Sequence, residues 1–401
     1  MKDSSERAIV SRRQWLKTFL GLGAGLLVVH RGGLLAGSVD LDTARDEASQ
    51  LIVRVSRPFD AETPVREFTS FLTPNHLFFV RSHFGPPSPE TIGESQWTLR
   101  VGGAVERPKV FTMRSLRQFE PVTITAVLQC SGNGRAYHRP RVPGVQWERG
   151  AVGNAQWTGV RLRDVLQAAG IRAEARHVMF QGADRPVLPA VPLFFRSIPL
   201  EKALHPDTLL AYEMNGQPLP LLHGAPLRVI TPGWMAESCI KWLTHIEARK
   251  EEASGYYMQT AYRVPVKSAH TGTGVPDDAT APVEVMPVKS LISSPEDGQS
   301  LRAGAAKIQG VAWAGETKIA KVEISFDDGD TWQPAQLVGD DRLYAWRQWQ
   351  FLWQATVEGT FAIVCRATDE RGNVQPAATS WNPSGFLWNG WDRVTVRVHP
   401  S

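Results

Sequence analysis

Three cysteines stand far apart in this 401-residue chain, at positions 130, 239 and 365, and the first of them sits in surroundings fit for chemistry. Cys130 is followed by Ser131-Gly132-Asn133-Gly134-Arg135, a run too polar and glycine-rich for an ordinary core segment. A cysteine at a strand end is commonly a small hydrophobe. Thiolate is also a soft, strong ligand for a transition metal, and a nearby arginine such as Arg135 favours the anionic form that binds one. The odd, widely spaced set of cysteines excludes a zinc ribbon and a disulfide framework. Arg228 and Lys241 are the right chemistry for a phosphate, which takes both a fork of donors and a point charge. Taken alone, each reads as an ordinary strand or solvated residue, and His83 and His223 as satisfied loop histidines.

Chemistry at Cys130 requires elements that hold it. Val122 to Leu128 is rich in β-branched residues and runs as a strand straight into the cysteine loop, the kind of junction at which side chains are presented to a ligand. Trp97 to Val105 alternates as a second strand, and His177–Phe180 and Leu227–Ile230 read as short ones. Arg161 to Gly170 is a short amphipathic helix closed by a C-terminal glycine, whereas residues 40–95 are irregular. This first domain therefore reads as mixed α+β. A stretch rich in Gly, Thr, Asp and Pro between Ser268 and Pro287 suits a linker. Beyond it, short alternating strands at 307–313, 319–326, 346–353, 359–368 and 394–398, with turn signals and no helix, predict an immunoglobulin-like β-sandwich.

The net charge of +4 is carried entirely by residues 1–37, which hold six basic and two acidic groups; the remainder is neutral in sum. No basic face for nucleic acid is implied. Ser11-Arg12-Arg13-Gln14-Trp15-Leu16-Lys17 and the apolar run 18–29 form a twin-arginine signal peptide, the run being too short to cross a membrane as a helix. The expected domains are then 1–37 as signal, 38–275 as catalytic domain and 285–401 as the sandwich. The signal implies the twin-arginine translocase as a partner, export of the folded protein to a bacterial periplasm, and so a cofactor inserted before export.

Leu128-Gln-Cys-Ser-Gly-Asn-Gly-Arg135, Gly150–Val160, Leu210–Pro220, His223–Arg228 and Lys241-Trp242 together resemble the sulfite oxidase family, in the family's order and over residues 65–400. The resemblance implies a sulfite oxidase-type molybdopterin-binding domain followed by a dimerising sandwich, hence a homodimer. It also implies a molybdenum atom on a pterin dithiolene with Cys130 as the metal ligand. Arg81, Arg135 and Tyr262 match substrate-binding positions, so the implied catalytic set is Arg81, Cys130, Arg135 and Tyr262. Phe79, His83, Asp184, His223, Arg228 and Lys241 match positions that hold the pterin and its phosphate. Sulfite would be oxidised to sulfate, and with no Cys-x-x-Cys-His motif and too few cysteines for an iron–sulfur cluster, the electrons would pass to a separate c-type cytochrome. Ser384 stands where many members have a third substrate arginine, which leaves the substrate open to another reading, a sulfane dehydrogenase subunit acting on carrier-bound sulfur, with a molybdenum reductase of sulfoxides as a remoter one. From a different class, the chain reads as a non-catalytic exported binding protein in which Cys130 is incidental.

Overall fold

The computed structural model describes residues 48–267 and 279–400, so the twin-arginine segment and the centre of the proposed linker lie outside the described residues. All described residues belong to one unit, Val39–Ser401.

The strand that leads to Cys130 spans Pro121–Gln129. Its first four residues are at least partly exposed and its last five are buried, so the strand runs from the surface inward. It is the edge of an antiparallel sheet in which it pairs with Val152–Arg161, which pairs in turn with Leu209–Met214. Arg228–Ile230 also pairs with Leu209–Met214 and so brings Arg228 to this sheet. A second five-stranded sheet runs Lys109–Thr112, Thr98–Gly103, Leu243–Arg249, His177–Gly182, Phe195–Pro199, with one parallel pairing, between Thr98–Gly103 and Leu243–Arg249. The helix Leu162–Ala169 ends at Gly170 in the left-handed region (φ 72°) and places Val165, Leu166 and Ala169 in the core between the sheets. The mixed α+β expectation is met only in part. The α-helices among the described residues of this half, such as Leu162–Ala169 and Leu200–Leu204, are short, and strands dominate.

From Lys289 onward two more sheets lie face to face. One carries Lys289–Ser294, Gly304–Trp313, Arg347–Ala355 and Gln336–Val338; the other has Asp392–His399, Gly359–Asp369 and Ile319–Ser325 at its centre. Ile292, Ile308 and Trp349 from the first meet Val322, Ile363, Cys365 and Val394 from the second in a single apolar layer, where Cys365 is a core residue. The linker expectation needs correction at its C-terminal end. Thr280–Pro282 pairs antiparallel with Arg263–Pro265, and Val283 and Met286 are buried, because this stretch closes the seam between the halves.

That seam is apolar and shared. Phe68, Val127, Val152 and Tyr262 pack with Leu291, Val311, Trp313, Trp346 and Phe386 in one cluster. Trp313 Nε1 donates to Gln129 Oε1 at 2.7 Å, Val127 N to Tyr344 O at 2.9 Å, and Leu387 N to Ser131 O at 2.9 Å. The residues on either side of Cys130 are therefore tied to the second half of the chain.

Candidate active site

Past Gln129 the chain turns sharply. Cys130 N donates to Ala151 O, Asn133 N to Cys130 O, and the Asn133 side chain accepts from Ala151 N at 3.2 Å. Gly134 has φ 91° and packs against the Trp388 side chain, where any Cβ would lie within 2.6 Å of two indole atoms and of the Trp388 Cβ. This glycine is thus required twice, by conformation and by space. The turn leaves Cys130 buried, at 8% exposure, with its side chain in the wall of a partly open cavity. A glycine-rich polar loop is in this case interior, because the second half of the chain covers it.

Of the residues expected at the site, Phe79, Arg81, His83, Cys130, Asp184, His223, Arg228, Lys241 and Tyr262 all line this cavity. Arg135 does not. Its Nε donates to Ser384 O at 3.1 Å and Nη1 to Val145 O at 3.0 Å, so two carbonyls hold the guanidinium behind the wall. It still acts on the cysteine through its charge. Burial pushes the Cys130 thiol up, and Arg81 and then Arg135 pull it part of the way back. A metal ion that binds thiolate would displace that proton.

Arg81 reaches the cavity with its Nη1 3.2 Å from the Asp60 carboxylate, and Asp60 also accepts from Ser82 N at 2.9 Å. Burial alone would lower the Arg81 pKa, but the Asp60 carboxylate, Tyr262 and Cys130 together more than offset that, so Arg81 stays a fixed cation. Tyr262 has φ 56°, the left-handed region, where a bulky side chain is uncommon and a functional constraint is worth seeking. Its ring stacks on Phe386 (5.3 Å, 4°) and its hydroxyl shares a 2.8 Å hydrogen bond with His83 Nε2. His83 in turn stacks on Phe194 at 3.8 Å, and burial holds its pKa well below the ordinary value, so the ring is neutral.

At another part of the wall the charges lack partners. Arg228 is 5% exposed and donates only to the carbonyls of His223 (2.8 Å) and Cys239 (3.2 Å), while its Nε has no partner. Burial pulls its pKa down to about 10. Lys241 Nζ donates to Ser82 Oγ and Leu222 O, both at 2.8 Å, and is pulled down to about 7, first by burial and then by Arg228. Arg228 donates only to neutral carbonyls, and the Asp184 and Asp60 carboxylates offset only part of the cost of burying Lys241, so this wall suits an anion. Phe78, Phe79 and Trp242 offer the flat apolar surface a fused ring needs. A thiol for a soft metal, aromatic walls for a pterin and an Arg–Lys set without a direct salt bridge for its phosphate make the residues fit a molybdenum pterin.

Several residues of this constellation escape a reading of the sequence. Asp60, Arg196 and Glu237 lie in no chemical motif; what marks them is burial of charge, which only the fold reveals. Phe194 is marked instead by its stack on His83.

A buried thiol beside residues that fit a phosphorylated pterin is the arrangement of a molybdopterin-binding site. Residues 84–257 match the oxidoreductase molybdopterin binding domain, and 280–399 match the Mo-co oxidoreductase dimerisation domain. The chain is 37% identical to sulfite oxidase of Gallus gallus (86% of this chain, 77% of that protein) and 34% identical to that of Arabidopsis thaliana (87% and 94%). It is 38% identical to mitochondrial sulfite oxidase of Homo sapiens over 87% of this chain, and spans 66% of that protein's length. The fold superposes on the crystal structure of the sulfane dehydrogenase SoxCD from Paracoccus pantotrophus with a TM-score of 0.75 at 25% identity, covering 94% of each chain. The chain belongs to the sulfite oxidase family, and its cofactor is molybdenum bound to molybdopterin.

Proposed function

We propose that the protein oxidises sulfite to sulfate and gives the electrons to a separate one-electron carrier, a c-type cytochrome. The observation that carries this reading is the meeting of Cys130, Arg81 and Tyr262 in the wall of one cavity. The molybdenum pterin, when bound, supplies the two-electron oxygen-atom transfer. Cys130 holds the metal, while Arg228 and Lys241 take the phosphate and fix the cofactor at its far end. Arg81 receives the oxyanion with a permanent charge, and Asp60 keeps the fork oriented. Tyr262 presents a hydroxyl that stays protonated, since burial raises its pKa, and so donates to the substrate or product oxygen. Arg135, at one remove, adds positive charge without touching the anion. The face-to-face sheets of residues 285–401 act as an immunoglobulin-like dimerisation domain after a catalytic domain of 38–275, and residues 1–37 direct the folded chain through the twin-arginine translocase to the periplasm.

A second reading is favoured by one feature. Ser384 places a backbone carbonyl, not a cation, next to the site, and that carbonyl takes up Arg135. A wall short of one charge suits sulfur carried on a larger partner. Protein purified from a host competent in twin-arginine export is to be assayed for molybdenum and for sulfite oxidation with a soluble one-electron acceptor. The sulfite reading expects turnover with a KM in the range of about 1 μM–1 mM, and Ser384→Arg is expected to lower that KM. A molybdenum-loaded protein that leaves free sulfite untouched would transfer the assignment to a carrier-bound substrate.

A further inference from the structure

Arg196 is a buried cation that no motif singles out and that the proposed reaction has not used. It comes from the strand Phe195–Pro199, is 2% exposed and does not line the cavity of Cys130. Its Nη1 donates to Tyr257 O, its Nε has no partner, and it forms no salt bridge among the described residues. Glu237, Glu252 and Glu284 act on it only through space and, with Tyr262, offset part of what burial costs. An arginine is charged throughout the working range of pH. Hiding that charge without a carboxylate in contact costs stability, and a single backbone carbonyl could be met by a neutral donor.

What the charge meets is the tyrosine of the cavity. The Arg196 guanidinium lies over the Tyr262 ring, its Cζ 5.3 Å from the centroid. Phe386 stacks on the same ring, the hydroxyl reaches His83 Nε2 at 2.8 Å, and the backbone carries all this at φ 56°. The neighbours of Arg196 grip the segment that leads to the tyrosine. Ser197 N donates to Met258 Sδ at 3.3 Å, and the Phe195 ring fills the space beside Gly255, where a Cβ would lie 2.5 Å from it. Arg81 and Arg135 also act on the phenol by charge, but Arg81 is paired with Asp60, and Arg135 lies over Phe386 instead. Resting on the role given to Tyr262 above, we propose that Arg196 is a positioning residue for that tyrosine: it holds the ring and draws electron density from the phenol, so that the hydroxyl is a stronger donor to the sulfur oxyanion. A cation on a ring face is attracted by the ring quadrupole, and out of water the attraction is stronger than at a surface. No bond is made or broken at Arg196, which acts from behind the wall.

The test uses molybdenum-loaded protein with Arg196→Met or Arg196→Lys, each also combined with Tyr262→Phe, and reads metal content, melting temperature and sulfite kinetics. Arg196→Met is expected to keep metal and melting temperature and to lower kcat/KM by about tenfold, with Arg196→Lys recovering at least about threefold. With Tyr262→Phe in place, Arg196→Met is expected to change kcat/KM by less than about twofold, because the hydroxyl on which Arg196 acts is gone. Fluorine NMR of loaded protein with meta-fluorotyrosine at position 262 is expected to show a resonance that shifts on Arg196→Met. Equal losses in the two Tyr262 backgrounds, an unmoved fluorine resonance, or an Arg196→Met protein that no longer folds or loads metal would each reduce Arg196 to a structural tie and overturn the assignment. A wild type that leaves free sulfite untouched would instead count against the substrate, and the fluorine resonance would still decide Arg196.

Discussion

At the scale of single residues, the cavity separates groups that make the chemistry possible from groups that hold them. Cys130→Ser exchanges a soft ligand for a hard hydroxyl of almost the same size, so near-complete loss of turnover is expected with an unchanged melting temperature, together with loss of the sulfur-to-metal absorption. Tyr262→Phe removes a donor from a dry wall, and a fall in kcat/KM worth about 2–4 kcal/mol is expected at constant molybdenum content. A KM and kcat both equal to wild type would remove Tyr262 from the site. Asp60→Asn keeps the shape beside Arg81 but not the charge, so a KM for sulfite raised by about tenfold is expected as the fork loses its anchor. Cys130 was legible in the sequence because it belongs to a long motif, whereas Arg81 and Tyr262 were reached only as matches to positions that the family resemblance implies. Asp60 and Glu237 were not, because a lone acidic residue in an irregular stretch looks like any solvated carboxylate until its burial is known. Arg135 shows the reverse: its motif is legible, but its two carbonyl partners, Val145 and Ser384, come from separate parts of the chain.

At the scale of elements, the strand Pro121–Gln129 is the part on which the site depends. Its β-branched residues made it legible, and the expectation that it delivers the cysteine agrees with the structure. Its partner Val152–Arg161 was hidden, since Gly153, Asn154, Ala155 and Gly159 are poor strand formers. They are present because neighbours come close: a Cβ at Gly153 would lie 2.5 Å from the Phe78 ring, and one at Gly159 2.1 Å from Leu210 O. Close packing on both faces erases the alternation by which a strand is recognised. The last residue of the cysteine strand is fixed from the other half of the chain, by the Trp313 to Gln129 hydrogen bond. Trp313→Phe leaves that buried amide oxygen without its donor, and a loss of about 1–3 kcal/mol in chemical denaturation is expected, with weaker retention of molybdenum on dilution.

At the scale of the whole molecule, the two halves share one apolar seam, and a single calorimetric transition is expected for the metal-loaded protein in place of two. Charge is also trapped near that seam. Lys289 is 3% exposed, its Nζ has no partner, and burial pulls its pKa down to about 8 despite the nearby Asp392 carboxylate. The unfolded chain therefore binds more protons than the native one between about pH 8 and 10.5, so this group makes stability rise with pH across that window. Lys289→Met is expected to stabilise the protein by about 1–3 kcal/mol at pH 7, with the advantage fading above about pH 10. Wild type and variant with parallel stability curves over that window would show that the amine is solvated. The same seam bears on how the protein is made. Phe386 forms the far side of the Tyr262 stack, and Ser384 O holds Arg135. A ribosome that has released only the first 270 or so residues has already delivered every residue that lines the cavity, yet not the partners that hold two of the residues around it. The order of translation thus leaves the Tyr262 ring and the Arg135 guanidinium without Phe386 and the Ser384 carbonyl until the last segment emerges.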